Sequence, residues 1–145
     1  MLANFPLYAL MALAKQQQAE AEEFYAGNPP DAEWTYRLLG AYPGGVWEWV
    51  TPYDAAERDA FYAGMQKAMQ LKGVTHYASA FECWSGGAQN PNRIEGFMIA
   101  AADDQGNTLG YYFTVDRSGP HAVLRPWGTN PQTKVSGAAF TMLVR

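Results

Sequence analysis

Apolar positions along this chain follow two periods, and the change falls at Gly73. Before it the spacing is mainly helical. Leu7, Leu10, Met11, Ala14, Ala21 and Phe24/Tyr25 recur at i, i+3/i+4, which predicts a first helix capped by Asn4, with Pro6 in its first turn and Gly27 at its end. Tyr8 and Leu13 lie off that stripe, so the first half is apolar nearly all round; such a helix is either deeply buried or packed against another chain. Asn28-Pro29-Pro30 breaks the run, and Asp31 is placed to cap a short helix through Trp34, Tyr36, Leu38 and Leu39, stopped by Pro43-Gly44-Gly45. Val46-Trp47-Glu48-Trp49-Val50 alternates like a strand, but five residues leave strand and irregular segment both open. Thr51-Pro52 or Asp54-x-x-Glu57 starts a third helix. Its face is Tyr53, Ala56, Ala60/Phe61, Gly64/Met65, Ala68 and Leu71/Lys72, with Gly73 just past its end.

After Gly73 the period is two. Val74–Trp84, Arg93–Ala102 and Thr108–Arg117 read as strands, and shorter ones fit His121–Arg125 and Gly137–Val144. Asp103-Asp104-Gln105-Gly106-Asn107 has hairpin chemistry, with Gly106 suited to positive φ. Both faces of the second strand are largely apolar (Ile94, Gly96, Met98, Ala100 against Glu95, Phe97, Ile99, Ala101), which predicts a central strand or one covered on both sides. Helices first and an antiparallel sheet after them define an α+β fold: N-terminal helices packed on a C-terminal sheet of three to five strands, with residues 1–73 mainly helical, 74–145 mainly β, and all in one domain.

Composition removes several classes of function. Apolar residues make up 48% of the 145, aromatics 14% and charged residues 17%, which excludes intrinsic disorder and coiled coils. Ten basic and 14 acidic side chains give −4, all of it in residues 1–73. With no basic stretch, neither nucleic acid nor an anionic membrane is an expected partner. The single cysteine, Cys83, allows no intramolecular disulfide, and the apolar opening has no basic leader and is interrupted by Pro6. A cytoplasmic location follows as the expectation (the virion, if the chain is phage-encoded).

Catalytic patterns are missing from the sequence. Cys83 lies between Phe81 and Trp84 on a strand, and His76, seven residues earlier, falls on the opposite face, so a small apolar role outweighs a nucleophilic one. Asp103-x-Gln105-x-Asn107 resembles the start of a calcium loop only faintly, and no zinc, phosphate-loop or hydrolase spacing occurs; no metal or cofactor is expected. Glu82 projects opposite Cys83. On antiparallel neighbours it meets Arg93 or sits near Glu95: with Glu95 it would form an acid/base pair of the glycosidase kind, with Arg93 a salt bridge, and a carboxylate in mid-sheet needs a cation first. Aromatic density is the positive signal. Trp34, Tyr36, Tyr42, Trp47, Trp49 and Tyr53 fall close together, and Pro126-Trp127-Gly128 offers another exposed ring.

The stretch Val74-Thr75-His76-Tyr77, Phe81-Glu82-Cys83-Trp84, Pro91-Asn92-Arg93-x-Glu95 and Ala101-Ala102-Asp103 before Gly106 resembles a group of small uncharacterised phage and bacterial proteins. Their middle part runs Tyr, Glu-x-Trp, Pro-x-Arg-x-Glu and then an Asp…Gly hairpin. The resemblance covers residues 74–117 and implies origin and fold, with no activity to carry over. The favoured reading is therefore a non-enzymatic interaction module, a small accessory or structural protein that binds a protein partner or itself through Leu7, Leu10, Leu13, Trp34, Trp47, Trp49 and Trp127. The alternative is a small hydrolase or ligand-binding enzyme with its site at Glu82, Trp84, Arg93 and Glu95.

Overall fold

The computed structural model describes residues 5–53, 55–85, 91, 94–127, 132–133 and 138–143. Helix α1 (Phe5–Ala26) is followed by strands β1 (Arg37–Tyr42) and β2 (Gly45–Val50), a 3-10 turn (Ala55–Glu57) and helix α2 (Arg58–Lys72). Strands β3 (His76–Ser85), β4 (Ile94–Asp103), β5 (Thr108–Asp116), β6 (Val123–Pro126) and β7 (Gln132–Thr133) come next, then a 3-10 turn at Ala138–Phe140. The strands form one antiparallel sheet in the order β2-β1-β3-β4-β5-β6, with the two residues of β7 alongside the first half of β5. The α+β class holds, and the sheet is larger than three to five strands because the first half of the chain supplies two of them.

Those two replace the helix expected over Asp31–Leu39. Leu38, Leu39 and Gly40 are buried because β1 lies inside the sheet between β2 and β3, and a strand covered on both faces reads as a continuous apolar run, which short segments share with helices. Pro43-Gly44 does not stop a helix; it is the two-residue turn of the β1–β2 hairpin, closing the Tyr42↔Gly45 pair. At the other end of the chain, the segment expected as a strand contains the Ala138–Phe140 turn, and Gly137 and Val144 lie outside the described residues.

Each face of the sheet has its own cover. Leu10, Leu13, Ala14, Gln17, Ala21 and Tyr25 form one buried stripe of α1, laid across β3, β4, β5 and β6. Beneath it are Ala78, Ala80 and Ala101, whose small side chains let the helix approach, and Ile99, Phe97, Leu109 and Phe113, which fill the flanks. On the opposite face Met65 and Met69 of α2 join Tyr36, Leu38, Tyr77, Met142 and Leu143. Leu71, expected on the packed face of α2, is 82% exposed; Met69, one turn from Met65, is buried instead. Gly73 ends α2 with φ 80, its N–H donating to the Gln70 and Met69 carbonyls. The Asp103–Asn107 hairpin forms as the sequence predicts: Asp103 accepts three N–H bonds, from the Gln105 and Asn107 backbone and the Asn107 side chain, and Gly106 has φ 87. Among the described residues no helix is long and apolar enough to cross a membrane.

Candidate functional site

Alternation along β3, β4 and β5 places Glu82, Glu95 and the residue after β5, Arg117, on the face that α1 covers. Trp84 is the register partner of Glu95 and Phe97 that of Glu82, so the two carboxylates are diagonal neighbours. Arg117 joins them. Its Nη2 donates to Glu82 Oε2 at 2.9 Å and to Glu95 Oε1 at 2.5 Å, and its Nε lies 2.9 Å from both Glu95 oxygens. Nη1 donates to the carbonyls of Pro30 (2.8 Å) and Ala32 (2.7 Å), so all five guanidinium N–H groups are used. The Tyr25 hydroxyl, at the end of α1, donates to the same Glu82 oxygen. Burial first, and the Glu82 hydrogen bond second, hold its phenol well above the usual tyrosine range.

The cation expected beside Glu82 was Arg93, which lies outside the described residues; the one the fold delivers is Arg117. Parity along β5 carried the missing signal. Leu109, Tyr111, Phe113 and Val115 face α1, and Arg117 continues that alternation towards the two carboxylates. An acid/base pair of the glycosidase kind needs one carboxyl free to carry a proton to substrate. Here Glu82 is engaged by both Tyr25 and Arg117, and Glu95 is chelated by Arg117. What this arrangement does chemically is to tie the α1–β1 connection, through its Pro30 and Ala32 carbonyls, to the end of the sheet.

A second polar network was not foreseen. Gln17, fully buried on α1, donates from Nε2 to the carbonyls of Arg37 and Ala78, both at 2.9 Å, and accepts from Arg37 Nη1. Arg37 also meets Glu48 of β2, 2.5 Å from Nη2 and 2.8 Å from Nε. A hollow of about 450 Å³ opens beside this network, bounded by Glu20, Glu23 and Glu48 over Phe24 and Trp34.

The proposed contact residues divide. Leu10 and Leu13 are 0% and 7% exposed, so they belong to the α1–sheet core, while Tyr8 on the same half of α1 is 63% exposed. Leu7, Trp34, Trp47 and Trp49 are half-buried. Trp34 donates from its ring to the Ala80 carbonyl at 2.9 Å and packs edge-on against Phe24 and Phe97, while Trp47 and Trp49 contact one another on the α2 side of β2. Trp84 and Trp127 are 46% and 49% exposed. Both line an open, mainly apolar hollow of about 430 Å³ together with Cys83, Gly96, Met98 and Tyr112. Burial, then the Glu82 charge, raises the Cys83 thiol, which keeps it protonated and weakly nucleophilic. His76 and His121 bond elsewhere, to Thr75 Oγ1 and the Asn28 carbonyl. Among the described residues no three His, Cys, Asp or Glu side chains are grouped as metal ligands.

Compared with protein-family models, curated proteins and solved structures, the chain finds no match. The resemblance over residues 74–117 therefore rests on its short motifs.

Proposed function

We propose that this chain is a non-enzymatic protein-interaction module, a small phage or bacterial accessory protein of the cytoplasm or the virion, which takes an aromatic or branched aliphatic side chain of a protein partner into the hollow lined by Trp84 and Trp127. One observation carries the reading: two tryptophans about half exposed both line one open, mainly apolar hollow of about 430 Å³. Tryptophans beside a pocket are the commonest binding hot spots, because they bury much area for little lost entropy. The hollow is large enough for one bulky side chain and its neighbours, and its lining is mainly apolar. The hydrolase alternative at Glu82 and Glu95 has less support, since Arg117 engages both carboxylates.

The test is affinity capture from phage-infected and uninfected bacterial lysates, followed by titration of the captured protein against wild type and Trp127→Ala. A stoichiometric partner whose affinity falls at least tenfold with Trp127→Ala, at unchanged thermal stability, is the expected result. No stoichiometric partner, or equal binding by the variant, defeats the reading.

A further inference from the structure

Strand β2 is the outer strand of the sheet on the α2-crossover side, and among the described residues no strand pairs with its free edge. Natural edge strands are usually blunted by Lys, Pro, a bulge or short length. This one has six residues, no Lys or Pro and an unbroken register with β1. Its sequence is also palindromic: Val46-Trp47-Glu48-Trp49-Val50 reads the same in both directions.

We propose that β2 pairs antiparallel with β2 of a second copy, across a two-fold axis at Glu48. This surface is separate from the tryptophan-lined hollow and does not depend on it. In an antiparallel pair related by a two-fold axis, residues equidistant from the axis face each other. The palindrome then sets Val46 against Val50 and Trp47 against Trp49, both favourable cross-strand pairs on matching faces. The backbone is set for it. Thr51 donates its N–H to the Tyr36 carbonyl at 3.0 Å, which fixes the parity of the ladder, so Trp47 and Trp49 bond to β1 while Val46, Glu48 and Val50 direct N–H and C=O outwards. Each of those three offers one donor and one acceptor, so two copies close six hydrogen bonds.

The one unfavourable pair, Glu48 against Glu48, is answered within each chain. Arg37 Nη2 lies 2.5 Å from Glu48 Oε2, so each carboxylate arrives at the axis already paired with a cation. The exposure of Val46 (52%) and Val50 (51%), otherwise unusual for β-branched residues on a half-covered sheet, is removed by the contact.

Light scattering on the full chain is expected to give twice the 16.0 kDa chain mass, and the Val46→Lys/Val50→Lys variant 16.0 kDa at unchanged helix and sheet content, because facing lysines repel across the axis. Register is read by oxidative cross-linking in a Cys83→Ser background. Opposed Cα atoms in such a pair lie about 5.5 Å apart, within disulfide reach, whereas Val46 and its own copy are four positions out of register. Val46→Cys mixed with Val50→Cys should cross-link, and neither should do so alone. A wild-type chain that stays monomeric at its highest soluble concentration overturns the proposal. So does a dimer that survives the lysines, or cross-linking of Val46→Cys by itself.

Discussion

Replacing Arg117 with Met removes the donors that hold the Pro30 and Ala32 carbonyls and both carboxylates, while keeping the aliphatic bulk. Two carboxylates, each side chain about one-fifth exposed (18% and 20%), are left without their cation, and the Pro30 and Ala32 carbonyls lose a partner. Breaking a fully buried pair costs roughly 3–5 kcal/mol and an exposed pair about 0–1 kcal/mol. The one-fifth exposure puts this cluster nearer the first limit, at about 3 kcal/mol. For a chain of this size that lowers Tm by roughly 6–12 °C. Urea and thermal unfolding followed by circular dichroism measure it directly. Arg117→Lys should restore less than half the loss, because one ammonium cannot span two carboxylates and two carbonyls. The triple variant Arg117→Met/Glu82→Gln/Glu95→Gln should be more stable than Arg117→Met, since most of the loss comes from uncompensated charge. A loss below about 0.5 kcal/mol for Arg117→Met, or a triple variant no better than the single, refutes the reasoning.

Two further outcomes follow from buried hydroxyls. Tyr77 donates to the Ala139 carbonyl at 2.7 Å and accepts from the Met142 N–H at 3.3 Å, so Tyr77→Phe should cost about 1–2 kcal/mol and raise amide hydrogen exchange at residues 139–143, with protection of β3 and β4 unchanged. Equal exchange in both proteins would mean that the hydroxyl does not hold the C-terminal segment. Burial raises the phenols of Tyr25, Tyr36 and Tyr77 above the ordinary tyrosine range, so the folded chain keeps protons that the unfolded chain loses above about pH 10. Stability is therefore full below that pH and falls above it, by about 1.4 kcal/mol per pH unit for each of these tyrosines. Urea midpoints between about pH 9 and 11 give the slope, and ultraviolet titration in which all nine tyrosines ionise near their ordinary value in a still-folded chain would contradict it.

The elements that the sequence made legible are those with one strong period. Helix α2 ends at Gly73 and β4 is central, because Gly106 turns and two apolar faces are local signals. The β1–β2 hairpin was hidden because Leu38 and Leu39 are buried on opposite faces of one interior strand, a pattern that four apolar residues share with a helix turn. Glu82 and Glu95 could be placed together from alternation alone. Arg117 could not be weighed against Arg93 without knowing that β5 ends beside both carboxylates, and Tyr25 and Gln17 required knowing which stripe of α1 meets the sheet. Exposure of Trp84 and Trp127 depends on where the sheet stops, which no short window of sequence records.

The Arg117 clamp also bears on how the chain is made. Its carbonyl partners, Pro30 and Ala32, lie 87 and 85 residues upstream. A ribosome adding about 5–20 residues per second leaves that connection without its cation for roughly 4–17 s. Strands β4 and β5 are completed only in the last part of that interval and β6 after it, so until then the buried stripe of α1 lacks the sheet it lies on. Helix α1 is thus made well before the strands that secure it, so its docking is expected to be completed only after synthesis of β4, β5 and β6.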